Sequence, residues 1–379
     1  MSFTINKKDL LELLQKAIPI IPLKSSLQIL SNFRFTFNGS TLEVSATDLD
    51  HFIRVFSPVT GSDQFDIAIN ARKIFEIVRE LPDGAATLEI NENILIIKSE
   101  KGFLCKIAGT DTHDFPGFPE ENIGASISIS TPVLRDLILK SCFAAAKDES
   151  RAVLCGVLFE LNGNKIGMVS TDGHRLGSSF YSGIDSSSES ISCVMSPRSL
   201  VNLSRSFDGK GDETVSINIG EKYAVFSTGS FKMYTKLLDG PYPDYSKVIP
   251  KNNPKIALIE RNLLQTAVKR VSVLSNQKTH LIKFIFGEDH LEIIVSNRDI
   301  GGEAREEIAA EYKNDSHTIG FNSQYLLEIL DIIKTAKIKI EMNTQISACL
   351  IFPVHEDKEQ TQQSEDLFLI MPLRILEDY

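Results

Sequence analysis

The 379-residue sequence predicts an α+β protein made of three copies of one unit, each with two amphipathic helices on antiparallel sheets. Three observations carry this. Similar segments recur about every 125 residues. Inside each copy, apolar residues switch between helical and alternating spacing. Proline-rich connectors separate the copies.

The first element of each copy is a short alternating strand followed by a helix. It reads FTINKKDLLELLQKAIPIIP from Phe3, ISISTPVLRDLILKSCFAAAKD from Ile127 and IALIERNLLQTAVKRVSVLSNQ from Ile256. Leu10, Leu13, Leu14 and Ala17 share one helical face, as do Leu134, Leu137, Ile138 and Ser141, and Leu263, Leu264, Ala267 and Val271. The spacing predicts helices over 7–16, 132–148 and 260–278. Next comes a hairpin. LQILSNFRFTFNGSTLEVSATD ends at Asp48, AVLCGVLFELNGNKIGMVSTD at Asp172 and THLIKFIFGEDHLEIIVSNRD at Asp299. Asn38-Gly39 and Asn162-Gly163 are strong hairpin signals, and Gly287-Glu288-Asp289 takes that place in the third copy.

A second helix follows, over 72–80, 198–205 and 323–338, and then further strands: ATLEINENILIIKS, VSINIGEKYAVFST and IKIEMNTQISACLIF. The offsets agree. Thr47 to Thr171 is 124 residues, Thr171 to Asn297 is 126, Lys73 to Ser199 is 126 and Ser199 to Gln324 is 125. The connectors are DFPGFPEENIG (114–124) and GPYPDYSKVIPKNNP (240–254), which place domains at 1–120, 121–250 and 251–379. Alternating strands leave one sheet face for the helices to cover. Three units in a row form an arc, and unlike ends that join head to tail close a ring.

Composition narrows the function. Apolar residues make up 42% and charged residues 24%, as in folded globular proteins. No run of about 18 apolar residues points to a transmembrane helix. The N-terminus, MSFTINKKDLLELLQK, has no uninterrupted apolar stretch and reads as the start of the folded protein, not as a signal peptide. Cys105, Cys142, Cys155, Cys193 and Cys349 are odd in number and widely spaced, which fits neither a zinc site nor a disulfide framework. A reducing cytoplasm follows as the expected compartment.

The net charge is −10, yet the expected helices carry 17 Lys and Arg against 9 Asp and Glu. A net +8 on the helices leaves −18 on the rest. Basic helices in an acidic protein fit a local nucleic-acid surface, although helices also tolerate Lys and Arg well in general.

Chemistry-bearing motifs are few. Asp172 and His174 in STDGHR are two residues apart, but Asp172-Gly173 predicts a turn. No P-loop, H-E-x-x-H, G-x-S-x-G or G-x-G-x-x-G is present. We therefore expect no catalytic residues, no metal site and no cofactor. The terminal run Leu367-Phe368-Leu369-Ile370-Met371-Pro372-Leu373 reads as a core strand whose end leaves Met371 and Leu373 near an edge, chemistry that suits short peptides.

The threefold repeat, STDGHRL (170–176), GPYPDYSKVIP (240–250), IGFNSQYLLEIL (319–330) and LIMPLRI (369–375) together resemble the bacterial DNA polymerase III beta subunits, the sliding clamps, along the whole chain. The resemblance implies half of a closed head-to-tail dimeric ring of six clamp domains. Helices would line the hole, and the ring would encircle duplex DNA without sequence preference. The clamp would tether the replicative polymerase, with the clamp-loader ATPase and repair proteins sharing one apolar peptide groove. It would have no catalytic activity of its own.

Matching groove positions are Leu154, Thr171, Gly173, His174, Arg175, Leu176, Pro243, Lys247, Val248, Asn322, Tyr325, Ser347, Leu369, Met371, Pro372, Leu373 and Arg374. Lys247 stands where the family often has Arg. Matching DNA-contact positions are Lys24, Arg72, Lys73 and Arg198. Helix placement adds Arg135, Lys140, Lys147, Arg205, Lys269 and Arg270. Ala152 and Val153 stand where some relatives carry paired tyrosines that touch exiting DNA. For the dimer, Phe103, Cys105 and Ile107 would meet Val273 and Leu274. The tail Leu376-Glu377-Asp378-Tyr379 runs past the end of some relatives and would flank the groove. Two alternatives stand beside this reading: a clamp paralogue serving repair or drug tolerance, and a hydrolase using Asp172 and His174.

Overall fold

The computed structural model describes residues 2–62, 64–120, 125–184, 190–207, 213–297, 300–356 and 363–375. Asp299 and the tail 376–379 lie outside the described residues.

The first repeat runs β1 (Ser2–Asn6), α1 (Lys7–Ala17), β2 (Asn32–Phe37), β3 (Thr41–Thr47), β4 (His51–Pro58), β5 (Thr60–Ser62), β6 (Phe65–Asn70), α2 (Ala71–Glu80), β7 (Ala85–Asn91), β8 (Ile94–Ser99) and β9 (Leu104–Ala108). The second runs β10 (Ala125–Ser130), α3 (Thr131–Cys142), β11 (Val157–Asn162), β12 (Lys165–Thr171), β13 (Arg175–Ser182), β14 (Ile191–Met195), α4 (Pro197–Ser206), β15 (Thr214–Ile219), β16 (Tyr223–Ser227) and β17 (Phe231–Leu238). The third runs β18 (Lys255–Glu260), α5 (Arg261–Ser272), β19 (Leu281–Gly287), β20 (His290–Asn297), β21 (Gly302–Ala309), β22 (Glu311–Tyr312), β23 (His317–Asn322), α6 (Ser323–Ile332), β24 (Lys337–Met342), β25 (Cys349–Val354) and β26 (Ser364–Ile370).

Each repeat thus holds two antiparallel sheets of the same plan. One is β6-β2-β3-β4 and its counterparts β14-β11-β12-β13 and β23-β19-β20-β21; the other is β1-β7-β8-β9 with β10-β15-β16-β17 and β18-β24-β25-β26. Four of these sheets fuse in two pairs across repeats. β4 pairs with β17, Phe52 facing Tyr234, and β13 pairs with β26, Leu176 facing Leu369.

The chain folds as two compact units. One comprises Met1–Pro132 and Arg198–Leu237, the other Val133–Pro197 and Leu238–Tyr379. The second repeat is divided between them, because each of its sheets is completed by a neighbouring repeat.

Local chemistry fixes the helices. Asn6, Asn70 and Asn322 each end a strand and cap the helix that follows, their side chains accepting from Lys8 N, Lys73 N, and Gln324 N with Tyr325 N. The apolar face expected for α1 is buried, Leu10, Leu14 and Ala17 completely. Three helices, α3, α5 and α6, end earlier than their apolar spacing predicts. After Cys142 the chain turns, Ala144 N donating to Ser141 O, while Ser141 Oγ bonds to Leu137 O. After Ser272, the hydroxyls of Ser272 and Ser275 bond to Lys269 O and Ser272 O and draw off the carbonyls a further turn would use. Lys147 and Lys278 therefore lie in loops. So does Lys334, because α6 ends at Ile332, whereas Lys337 opens β24. The six helices carry 13 Lys and Arg against 7 Asp and Glu. Their net charge is +6, not +8, and the remainder is −16.

The third-repeat core is built around Phe284, fully buried and edge-on to Phe321 at 5.4 Å and to Phe286 at 6.0 Å. Phe284→Ala should lower unfolding stability by about 3–5 kcal/mol, read as a shift of the urea midpoint at unchanged slope.

Candidate partner groove and nucleic-acid interface

The turn between β12 and β13 is tied from inside. Asp172 accepts from His174 N (2.8 Å) and Arg175 N (3.0 Å) and pairs with Arg175 Nε at 3.2 Å. Thr171 Oγ1 donates to Arg175 O at 2.6 Å and accepts from Gly173 N at 3.0 Å. Gly173 has φ +89°, a conformation that glycine adopts at no steric cost. From the connector, the Tyr242 hydroxyl accepts from Thr171 N at 3.1 Å. Burial pushes that phenol up to about 12.

Arg175 lies at the centre of the site. Its side chain is only 3% exposed. The guanidinium reaches Asp172, Glu328 on α6 and the Phe143 carbonyl (2.9 Å). It also lies over the Tyr325 ring at 4.4 Å from its centroid. Arg175 is therefore buried beneath the candidate groove residues and is not displayed at the surface. It ties the turn to the end of α3 and to α6.

The terminal strand completes the floor. Leu369 faces Leu176 on one side and Leu350 on the other. Leu158, Val169, Val194 and Ala348 join them in one buried apolar cluster. Beyond β26, Met371 N donates to His174 O at 2.7 Å and Leu373 N to Gly320 O at 2.8 Å. This leaves Met371 36% exposed and Pro372 and Leu373 half-buried. Leu154 is half-buried; Gly173, His174, Pro243, Lys247, Val248 and Arg374 are exposed. Lys247 pairs with Asp244 at 3.2 Å. Asn322 is engaged in capping α6, and Ser347 holds a local turn with Thr344. Ala152 is exposed, whereas Val153 packs against the apolar cluster.

The basic candidates divide. In the first unit, Lys24, Arg72, Lys73 and Arg205 are exposed, Lys73 pairing loosely with Glu76 at 3.5 Å. Arg198 is exposed and donates to Pro19 O at 3.2 Å. Lys24, Arg72 and Arg198 line one cleft of about 790 Å³. In the second unit Lys147 is exposed and Arg135 half-buried. Lys269 sits 3.6 Å from Asp331, and Arg270 donates to Glu306 at 2.9 Å. Lys140 departs from expectation. Its side chain is 13% exposed, paired with Asp366 at 2.7 Å and with Asp136. Burial alone would lower its pKa, but the two carboxylates outweigh it and raise it. Lys140 fastens α3 to β26 and is not offered to phosphate.

Among the edge strands of the described residues are β9 in the first unit, paired with β8 alone, and β21 in the second, paired with β20 alone. On β9, Cys105 and Ile107 are half-buried, and Phe103 just before it is exposed. At the end of α5, Val273 is 80% exposed, whereas Leu274 packs on the third-repeat core.

Family profiles for the N-terminal, central and C-terminal domains of the DNA polymerase III beta subunit match residues 1–119, 128–244 and 246–367 in that order. The chain belongs to the DNA polymerase III beta subunit family. It is a DNA sliding clamp, a non-catalytic processivity subunit. It is 29% identical over 378 residues to the beta sliding clamp of Pseudomonas putida and 28% over 377 residues to that of Escherichia coli K12, spanning 99% of this chain and all of each relative. Among solved structures, the Pseudomonas aeruginosa sliding clamp bound to griselimycin superposes with a TM-score of 0.91 at 29% identity, and the Bacillus subtilis clamp with 0.89 at 26%. Both alignments cover 99% of this chain and all of the other.

The hydrolase alternative is not favoured for this clamp. The Asp172 carboxylate is filled by donors of its own turn, so it organises backbone and is not free to accept a substrate proton. No group of three or more His, Cys, Asp or Glu able to hold a metal occurs among the described residues, and none of their helices is long and apolar enough to cross a membrane. Sequence reasoning missed Glu328, Phe143 and Tyr242 as parts of the site. Glu328 lies one helical turn after Tyr325, a spacing that could have revealed it.

Glu328→Ala removes one anion from a buried guanidinium. It should cost about 1–3 kcal/mol of stability in urea unfolding, with Glu328→Gln losing less because an acceptor remains.

Proposed function

We propose that two copies of this clamp pair head to tail through β9 and β21 into a ring that encircles duplex DNA. The observation that carries this is the junction used twice within the chain. His51 on β4 faces Thr235 on β17, which also faces Ala224; Arg175 on β13 faces Ile370 on β26, which also faces Cys349. The counterpart of Thr235 and Ile370 on β9 is Ile107, facing Leu95. Phe52, Leu176 and Gly302 hold one place in the three repeats, facing Thr47, Thr171 and Asn297. His51 and Arg175 therefore correspond to Gly301. The third junction has no partner inside the chain, and a second copy supplies one with the register Ile107 to Gly301 and Cys105 to Glu303. Pairing also protects two edges that would otherwise invite aggregation. Charge agrees: β21 carries three glutamates and one arginine, while Lys101 and Lys106 flank and join β9. Phe103, Val273 and Leu274 would pack beside the new ladder.

In this reading the chain is three clamp domains, 1–120, 121–250 and 251–379, with the helices toward DNA. Lys24, Arg72, Lys73, Arg198 and Arg205 meet phosphates, with Arg135, Lys147, Lys269 and Arg270 contributing on the other unit. Contacts to backbone alone carry no sequence information, which permits sliding. The groove floored by Leu176 and Leu369 and edged by Leu154, His174, Val248, Met371 and Leu373 takes short linear peptides. Their sources are the replicative polymerase, the clamp-loader ATPase and repair proteins, all in the cytoplasm. Arg175 acts there as a positioning residue.

Oxidised Glu303→Cys should form a dimer closed by two disulfides to Cys105. Ala304→Cys, on the opposite strand face, and Glu303→Cys with Cys105→Ser should both run as single chains on a non-reducing gel. Loaded on nicked circular DNA by an active clamp loader with ATP, the protein should survive a high-salt sizing column and be lost once the circle is cut. Retention that ignores the cut would refute encirclement.

A further inference from the structure

The groove continues on the same sheet face into a second cavity of about 1020 Å³ in the second unit, lined by Phe180, Tyr245, Ile249, Phe352 and Leu367. The two share their strands. On β13, Leu176 under the groove is followed on the same face by Ser178 and then Phe180. On β26, Leu369 is preceded by Leu367. On β25, Leu350 is followed by Phe352. The pairing keeps them level, Leu176 with Leu369 and Ser178 with Leu367. All five lining side chains pack on the buried cluster that floors the groove. One buried apolar cluster therefore underlies both the candidate groove and the cavity, with the connector packed on it between them.

The cavity is built in detail. Phe180 lies flat across β12 because residue 167 is glycine: a Cβ there would come within 2.0–2.7 Å of the ring. Ser178 keeps the floor low between the two depressions. Lys165 stands 4.8 Å from the Phe180 ring centroid and is held by Glu365 at 2.8 Å; Lys339 stands 4.6 Å from the Phe352 ring centroid and is held by Glu341 at 2.7 Å. Two cations over two rings wall an apolar floor. The Tyr245 hydroxyl is fixed by Glu160 at 2.9 Å.

We infer that this cavity is a second subsite for the same partner peptide, taking a bulky apolar side chain that flanks the groove-binding segment. The inference rests on the groove reading above. Four residues of extended chain span about 13 Å, the reach from Leu176 to Phe180 along β13. The flanking side chain therefore lies about four residues outside the segment in the groove.

Fluorescence anisotropy with the full chain tests this. The probes are a groove-binding hexapeptide and the same peptide lengthened at either end by three Gly/Ser residues and then Phe or Ser. Phe should bind about tenfold tighter than Ser at one end. Phe352→Ser and Gly167→Ala should abolish that gain and leave the hexapeptide affinity unchanged, which also reports folding. Equal binding of the Phe and Ser peptides at both ends overturns the inference and spares the groove. A gain that survives both variants places Phe elsewhere and overturns it too. Sedimentation that changes with Phe352→Ser would assign the cavity to contact between copies instead. Failure of the hexapeptide itself would refute the groove reading, a separate result.

Discussion

Unpaired backbone at sheet edges is the constraint around which this clamp is organised. Each repeat makes two small sheets, and each sheet has edges whose N–H and C=O groups need partners. Inside the chain the solution is to fuse sheets of successive repeats, β4 to β17 and β13 to β26. The candidate groove depends on that choice. Its floor is the seam where Leu176 of one repeat meets Leu369 of the next, and Met371 stands at its rim because the terminal strand has already been drawn to His174. The division of the second repeat between two compact units has the same origin.

The same seam does different chemistry in the two units. In the second, neighbours on the sheet face that carries Leu176 and Leu369 are the buried Leu158 and Val169. The corresponding pair in the first is Arg34 and Ser45. There Arg34 binds Asp66 at 2.8 Å, Thr112 and Thr36 add hydrogen bonds, and Glu43 accepts from Ser45 at 2.6 Å. Burial would raise the Asp66 pKa, but hydrogen bonds from Arg34 and Thr112, with the charge of Arg34, outweigh it and hold the carboxyl below the usual range. A face whose polar groups are satisfied by one another offers little to an apolar peptide. The repeats share a fold, and side-chain substitution alone makes one seam apolar and the other polar.

Periodicity made the repeat, the six helices and their order legible, because buried faces recur at fixed spacing whatever the tertiary detail. Helix ends were less legible. Apolar spacing continues past Cys142 and Ser272, but serine hydroxyls compete for the carbonyls there. Among site residues, those in sharp motifs were found, yet exposure was not readable. Lys140 and Arg175 look like surface cations in the sequence and are buried against carboxylates contributed from 226 and 153 residues away. Such pairings are set by the seam, and no local pattern announces them. The free edge of β21 was missed for the same reason: whether a strand has a second neighbour is decided by topology.

Joining equal seams by unequal means has a kinetic consequence. β13 and β26 belong to one molecule, so their meeting is governed by an effective concentration that dilution cannot change. A seam between β9 and β21 of separate molecules has no such tether. With comparable ladders at each seam, reversible opening would concentrate where covalent continuity is absent, and the rate at which separated copies rejoin, and with it the closed fraction, would follow protein abundance as well as sequence.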